Sequence, residues 1–137
     1  MATVNQIFVN LPVKELSRSV EFFTKIGFTF NPQFTDENAT CMVINDTIYA
    51  MLLVEKFFKS FIDKEIADTK ANAAAIIALS VGSRAEVDEL IEKALKAGGR
   101  EYKELQDHGF MYGRDFEDLD GHLWEIFYMD MAAIPQQ

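Results

Sequence analysis

The stretch that decides the fold is Phe116-Glu117-Asp118-Leu119-Asp120-Gly121-His122-Leu123-Trp124-Glu125-Ile126-Phe127. An acidic turn that contains a glycine is followed by an alternating, aromatic-rich run, which predicts a β-strand. In such a strand Glu125 shares one face with Leu123 and Phe127, while Trp124 points to the other face. A carboxylate among apolar neighbours is costly to bury unless it has a partner or a function. Glu125 is therefore the first candidate functional residue.

The size and charge of the chain limit the classes of protein to which it can belong. Its 137 residues, 49% of them hydrophobic, suffice for one domain with a sizeable core. The net charge of -9 argues against nucleic acid or an anionic membrane as a partner and favours a cationic ligand, although such a charge can also serve solubility alone. No apolar run approaches membrane-spanning length and no secretory signal is recognisable, so we expect a cytoplasmic protein without membrane contact. Cys41, the only cysteine, lies in an apolar run, and we expect a packed thiol.

The first half of the chain contains the pattern of one strand, one helix and three strands. Residues 6–13 predict a strand that Pro12 closes, and residues 15–26 predict a helix that ends at Gly27. A short strand over 28–30 follows. Residues 39–44 and 47–54 predict a hairpin whose turn is made by Asn45 and Asp46, residue types that tolerate positive φ.

The middle of the chain, residues 55–63, has aromatic residues at helical spacing. The stripe of Phe57, Phe58 and Phe61 predicts a helix that covers the core, with a contact surface for a partner protein as the alternative. The polar residues 64–72 predict a crossing segment.

The second half repeats the order of the first. Residues 75–81 predict a strand, and Ser83 with Glu86 forms a capping box at the start of a helix that Gly98 and Gly99 end. Three strands over 101–105, 110–116 and 122–128 complete the repeat, and residues 129–137 predict a tail.

These two halves predict an α+β fold made of two tandem βαβββ modules. Val13 corresponds to Val81 and Gly27 corresponds to Gly98. One helix covers only one face of each sheet. Two such modules are expected to form a curved sheet cleft, which is the natural place for a ligand.

Residues 13–28 and 116–125 resemble the first strand-to-helix signature and the closing strand of the vicinal oxygen chelate superfamily, which includes glyoxalase I, bleomycin-resistance proteins, extradiol dioxygenases and fosfomycin-resistance enzymes. The resemblance implies a single domain over residues 1–137. Its first module would span 4–54, a connecting helical segment 55–73, and the second module 74–130.

The metal enzymes of this superfamily hold a divalent ion with residues from the first and last strands of each module. Carried over by position, the four ligand positions fall on Phe8, Ala50, Ile76 and Glu125. Zinc or a related ion needs about three or four protein donors. We therefore expect no metal cofactor, with zinc, nickel, iron or manganese bound through Glu125 and unrecognised ligands as the alternative.

Six further residues are candidates for the site. His108, beside Asp107, carries one of the two imidazoles of the chain and is either a proton-transfer residue or an ordinary loop residue. Arg114 either pairs with Glu125 across the ladder or contacts a ligand. The other ligand-binding candidates are Tyr112, Asn10, Phe8 and Phe110.

Three functions follow as hypotheses. The first is a metal-independent homodimer that binds a small molecule, with a cationic ligand favoured, as the resemblance to bleomycin-resistance proteins implies. The second is a lactoylglutathione-lyase-like or dioxygenase-like enzyme that acts on a small carbonyl compound, with Glu125 as base or metal ligand and Arg114 or His108 stabilising an oxyanion. The third is an interaction module that uses the phenylalanine stripe.

Overall fold

The computed structural model describes residues 2–134, which form two compact units divided between Ala67 and Asp68. Each unit contains one mixed β-sheet and one long helix, so the predicted α+β class is confirmed. None of the helices in the described residues is long and apolar enough to cross a membrane.

The first unit contains strand β1 (Ile7–Val13), helix α1 (Leu16–Ile26), strands β2 (Thr29–Asn31), β3 (Ala39–Val43) and β4 (Ile48–Val54), and the short helix α2 (Glu55–Lys59). Its sheet has the order β1-β4-β3-β2. Strand β1 runs parallel to β4, and the other pairs are antiparallel. The first and last strands of the module are thus neighbours.

Helix α1 buries one apolar face, as its residue spacing predicts. Phe22, Phe23 and Ile26 are each at most 4% exposed. The helix ends at Gly27, whose φ of +122° is available to glycine at little cost. The backbone N–H of Gly27 bonds the carbonyl oxygens of Phe23 and Thr24, which satisfies the last turn.

The turn between β3 and β4 differs from the prediction. No residue other than glycine has a positive φ in the part of the chain that the structure describes, so Asn45 and Asp46 do not adopt the left-handed conformation. Instead, Oδ1 of Asn45 accepts hydrogen bonds from the backbone N–H groups of Thr47 and Ile48, both at 2.9 Å. A side chain closes this turn because it can replace a backbone carbonyl as acceptor.

The second unit contains β5 (Ile76–Ser80), α3 (Arg84–Lys96), β6 (Arg100–Glu101), β7 (Gln106–Asp107), β8 (Met111–Glu117) and β9 (Leu123–Met129). Its sheet has the order β5-β9-β8-β6, with β7 also paired to β8. Strand β5 runs parallel to β9, as β1 does to β4. The same strand order in both sheets confirms the duplication.

Helix α3 begins where its cap predicts. The hydroxyl of Ser83 accepts a hydrogen bond from the backbone N–H of Glu86 at 3.1 Å and donates one to the Glu86 carboxylate. Val87, Ile91 and Ala94 are fully buried, and the helix packs on β8 and β9. The core of this unit therefore lies between α3 and its sheet.

The second strand of the second module, predicted over residues 101–105, is shorter than expected. Only Arg100 and Glu101 pair with β8 before the ladder is interrupted, and pairing resumes at Gln106. At the interruption the backbone N–H of Lys103 bonds Oδ1 of Asp115 at 2.9 Å. The Asp115 side chain accepts a hydrogen bond that a backbone carbonyl of β8 would accept in a continuous ladder, so residues 102–105 leave the sheet.

The connecting segment contains less helix than predicted. Helix α2 covers one turn, and Phe61 lies beyond its end with 68% of its surface exposed. The ring of Phe61 meets that of Phe57 edge to face, with centroids 5.0 Å apart. The use of this stripe as a contact surface stays a prediction.

The end of the chain is ordered further than predicted. Met131–Ala133 forms a 3-10 turn after β9, and Oδ1 of Asp130 accepts a hydrogen bond from the backbone N–H of Ala132. The last part of the predicted tail, residues 135–137, lies outside the described residues.

Candidate functional site

Glu125 lies in the middle of β9, on the face that α3 does not cover. Its neighbours Trp124 and Ile126 are fully buried on the helix side. Glu125 and Phe127 are half-buried on the other side, together with the more buried Leu123. The predicted alternation of this strand is therefore confirmed.

The residue across the ladder from Glu125 is Asp115 of β8. Directly opposed residues of antiparallel strands point to the same side, with Cβ atoms about 5 Å apart. On the other neighbour, β5, the residue paired with Glu125 is Ala78. We call the surface made by Ala78, Asp115, Leu123, Glu125 and Phe127 the Glu125 face.

The two carboxylates of the Glu125 face differ in their bonding. Asp115 accepts the hydrogen bond from the backbone of Lys103. Among residues 2–134, no hydrogen bond or ion pair joins Glu125 to another residue. A half-buried carboxylate between apolar side chains is thus left with free acceptor capacity.

The predicted pair of Arg114 and Glu125 is wrong. Arg114 is opposite Ile126, so its side chain lies on the helix face of the sheet. The turn between β8 and β9 spans five residues, and the backbone N–H of Asp118 bonds the carbonyl of His122. The register therefore differs by one residue from the expected one, and such a shift moves a side chain to the opposite face.

On the helix face, Arg114 binds three carboxylates. Its guanidinium lies 3.0 Å from Asp88 and 3.1 Å from Glu92 of α3, and 3.2 Å from Glu101 of β6. Burial alone lowers the pKa of Arg114, but the hydrogen bonds to Asp88 and Glu92 and the charge of Glu101 outweigh it and raise the pKa. Arg114 therefore ties α3 to the sheet.

Tyr112 joins the same cluster. Its hydroxyl donates to Oδ1 of Asp88 at 2.6 Å, which raises the pKa of Tyr112 and lowers that of Asp88. The guanidinium of Arg84 lies over the Tyr112 ring, 4.9 Å from its centroid. Arg114 and Tyr112 therefore share one face of the sheet, on the side opposite Glu125.

His108 and Phe110 lie in the loop between β7 and β8. His108 is exposed, and its Nε2 is 3.1 Å from the side-chain oxygen of Gln106. The neighbouring Asp107 receives two hydrogen bonds from Arg84 and one from the backbone N–H of Gly109, and together these lower its pKa to about 2. Phe110 is half-buried, and its carbonyl accepts a hydrogen bond from the backbone of Asp130.

Phe8 and Asn10 are neighbours on one face of β1 in the first unit. Phe8 is 46% exposed, and its ring stacks on that of Tyr49 of β4, with centroids 4.7 Å apart. The amide of Asn10 donates to the carbonyl of Phe8 at 3.2 Å. Cys41 is 1% exposed, and burial raises the pKa of its thiol, in agreement with the predicted packed role.

The donor set does not fit a divalent metal of the kind that the resemblance implies. Phe8, Ala50 and Ile76 offer no donor atoms at the other three ligand positions. Across the described ranges, no three His, Cys, Asp or Glu side chains come together in a group that could hold an ion. Glu125 and Asp115 supply two carboxylates, fewer than zinc requires.

Two important residues were missed from the sequence. Asp115 would follow from the correct length of the β8–β9 turn, since that length sets the register. Asp118 is 6% exposed, and its carboxylate accepts hydrogen bonds from the backbones of Asp120 and His122 and from the indole of Trp124. Burial raises the pKa of Asp118, and these donors and His122 offset part of that effect.

Comparison with protein families gives one match over most of the chain. Residues 4–126 match the model of the Glyoxalase/Bleomycin resistance protein/Dioxygenase superfamily. No curated protein sequence matches the chain.

Several solved structures share the fold. The hypothetical protein SA1046 from S. aureus is 28% identical, with a TM-score of 0.78 over 93% of this chain and 95% of that one. A glyoxalase-related enzyme from Fulvimarina pelagi is 20% identical, with a TM-score of 0.76 over 90% and 87% of the two chains. The fosfomycin resistance protein FosX from Mesorhizobium loti is 14% identical, with a TM-score of 0.69 over 96% and 97%.

Proposed function

Since this chain belongs to the glyoxalase/bleomycin resistance protein/dioxygenase superfamily, we propose that it binds a small cationic molecule on the Glu125 face, without a divalent metal. The superfamily carries binders and enzymes on one scaffold, so the choice between them depends on the site and not on the fold.

The observation that carries this proposal is the opposition of Asp115 and Glu125 across the ladder. Like charges placed directly opposite each other destabilise a sheet. A cation bound between the two carboxylates removes that repulsion and can donate hydrogen bonds to the free acceptor oxygens of Glu125. Leu123 and Phe127, on the same face, supply apolar contact, and the Phe127 ring attracts a cation to its face.

Organic cations suit this arrangement better than metal ions do. Two carboxylates neutralise a charged amine or amidine and accept its N–H groups. They do not complete the coordination shell of zinc, nickel, iron or manganese. The net charge of -9 adds a long-range attraction for a positively charged ligand.

Thermal unfolding in the presence of matched ligands tests the proposal. Benzamidine, methylguanidine and choline are the cationic probes, and benzamide is the neutral control for benzamidine. A ligand that binds only the folded state raises the melting temperature. We expect benzamidine to stabilise the protein and benzamide to have no effect.

Two variants test whether the ligand binds on the Glu125 face, and a third serves as a control. Glu125→Gln and Asp115→Asn each remove one charge and are expected to abolish the benzamidine effect. Glu89→Gln removes an exposed charge on α3 and serves as the control. If Glu125→Gln binds benzamidine as well as the unchanged protein does, the proposal is wrong.

The alternative is an enzyme that uses Glu125 as a general base. The free acceptor oxygens of this carboxylate beside Leu123 and Phe127 support it. Arg114 does not serve as the oxyanion partner, because it lies on the opposite face. An α-oxo aldehyde such as methylglyoxal is the test substrate. An enzymatic function is favoured if the protein converts methylglyoxal and the Glu125→Gln variant loses this turnover but still binds the compound.

Metal content and assembly need separate measurements. Stoichiometric zinc, nickel, iron or manganese in protein purified without chelator, lost in Glu125→Gln, would overturn the metal-independent proposal. We also propose a homodimer, which sedimentation at several protein concentrations tests.

A further inference from the structure

The second unit contains a small cavity beside the turn between β8 and β9. It has a volume of about 90 Å³, which is room for roughly three water molecules at their volume in the liquid. Residues 69–73 form one wall, and Arg100, Tyr102, Glu117 and Leu123 form much of the rest. The cavity does not include Asp115 or Glu125.

The acidic residue that lines the cavity is Glu117. It is 6% exposed, and its Oε2 accepts a hydrogen bond of 2.6 Å from Nη2 of Arg100. No protein donor in the described residues bonds the other oxygen, Oε1. The described residues contain no fully buried side-chain oxygen without a partner, so Oε1 is open to solvent. Glu117 is one of the residues that line the cavity, and a donor placed there lies beside its carboxylate.

The positive groups lie around the same cavity. The Arg100 side chain is 72% exposed and bonds Glu117 through one nitrogen, which leaves further N–H groups for a ligand. Lys70, in the wall, holds its ammonium 3.2 Å from the carbonyl of Leu119. The charged lining residues are thus two cations and one carboxylate.

We propose that this cavity binds a small zwitterion that carries an ammonium and a carboxylate group, of about the size of glycine. The ammonium donates to Oε1 of Glu117, and the carboxylate accepts from Arg100 with the charge of Lys70 nearby. A ligand that carries only a negative charge would lie beside Oε1 of Glu117 with no hydrogen-bond donor for that oxygen. The cavity shares Leu123 with the Glu125 face, but this proposal does not rest on the function proposed for that face.

The test is a titration of the whole chain with glycine, followed by backbone amide NMR. Acetate, which carries only the carboxylate, and methylamine, which carries only the ammonium group, are the comparison probes. We expect saturable glycine shifts at residues 69–73 and at Arg100 and Gly121, and weaker effects from either half alone. Arg100→Gln and Glu117→Gln are each expected to weaken glycine binding about tenfold or more, because each removes a charge-assisted hydrogen bond.

Control variants make each outcome decisive. Lys96→Gln, on the exposed end of α3, is expected to bind glycine unchanged, and so is Glu125→Gln. If Glu117→Gln does not fold, the exposed Arg100 still provides Arg100→Gln and the intermediate variant Arg100→Lys. The proposal fails if glycine gives no saturable shift, if acetate alone reproduces the glycine shifts, or if Arg100→Gln leaves binding intact.

Discussion

The indole Nε1 of Trp124 donates a hydrogen bond of 2.9 Å to Oδ2 of Asp118, and both side chains are buried. The other oxygen of Asp118 accepts from the backbones of Asp120 and His122, at 2.9 and 3.0 Å. One carboxylate therefore holds the β8–β9 turn and fixes the aromatic side chain that follows it. Since the turn sets the register of β9, Asp118 also determines which face carries Glu125.

Asp118→Asn is expected to destabilise the protein by about 2 kcal/mol, the cost of an unsatisfied buried donor. The asparagine oxygen can serve the two backbone N–H groups, but its NH₂ group then faces the indole N–H of Trp124. Urea unfolding followed by fluorescence measures the loss, because Trp124 is the only tryptophan of the chain. Asp46→Asn, in the exposed turn of the first unit, is the control and should change stability little. Equal losses in both variants would contradict this account.

The register of this hairpin explains what the sequence could and could not predict about the site. The alternation of β9 is a local pattern, so the face shared by Leu123, Glu125 and Phe127 followed from it. The partner of Glu125 depends on the number of residues in the turn, and an error of one exchanges Asp115 for Arg114. The number of residues in the turn is set by the side-chain hydrogen bonds of Asp118. The residues that these bonds join follow no periodic pattern in the sequence.

Gly121→Ala is expected to cost about 2 to 4 kcal/mol, from left-handed backbone strain and from overpacking. Gly121 has a φ of +86°, and a Cβ there would lie 2.7 Å from the carbonyl oxygen of Thr69. Gly109→Ala is the matched control, because its φ is +81° and nothing lies within 4 Å of the added carbon. Chemical denaturation of both variants separates strain from contact. Equal losses would show that the approach of Thr69 is unimportant.

Arg114→Met is expected to destabilise the protein by about 1 to 3 kcal/mol, less than a fully buried ion pair because the three carboxylates are partly exposed. The Arg114 side chain is 11% exposed, and its removal leaves Asp88, Glu92 and Glu101 to repel one another. Arg18→Met removes a pair in which both side chains are more than half exposed, so thermal unfolding should show little loss. A loss in Arg18→Met as large as in Arg114→Met would refute the structural role of Arg114.

The architecture was more predictable than the site because its signals are local. The ends of α1 and α3 follow from Gly27 and the Ser83 cap, and the repeat follows from the order of the elements. The interruption after Glu101 was missed because it depends on a bond between Lys103 and Asp115, twelve residues apart. Side-chain contacts of this kind are established only when the sheet forms.

The stability of the loop before β8 is expected to depend on acid pH through Asp107. Hydrogen bonds from Arg84 and, to a lesser extent, from the backbone N–H of Gly109 lower the pKa of Asp107 from 3.8 to about 2. A carboxyl group with a depressed pKa in the folded state stabilises the fold above its unfolded pKa, and this contribution is lost as pH falls from about 4 through about 2. An NMR titration of the Asp107 carboxyl carbon measures the midpoint, and Arg84→Gln should raise it. An unchanged midpoint in Arg84→Gln would assign the shift to another cause.

Glu125→Gln is expected to stabilise the free protein by about 0.5 kcal/mol at neutral pH, because it removes a like-charge pair from the ladder. Most substitutions of half-buried residues destabilise, so a gain would mark Glu125 as retained at a cost to stability. Asp115→Asn removes the same repulsion, and the double variant should gain less than the sum of the two single variants, since only one repulsion exists to remove. Urea unfolding of the four proteins completes the cycle. If the effects of the two single variants add up in the double variant, the two carboxylates do not interact, and the Glu125 face has no like-charge repulsion for a cation to remove.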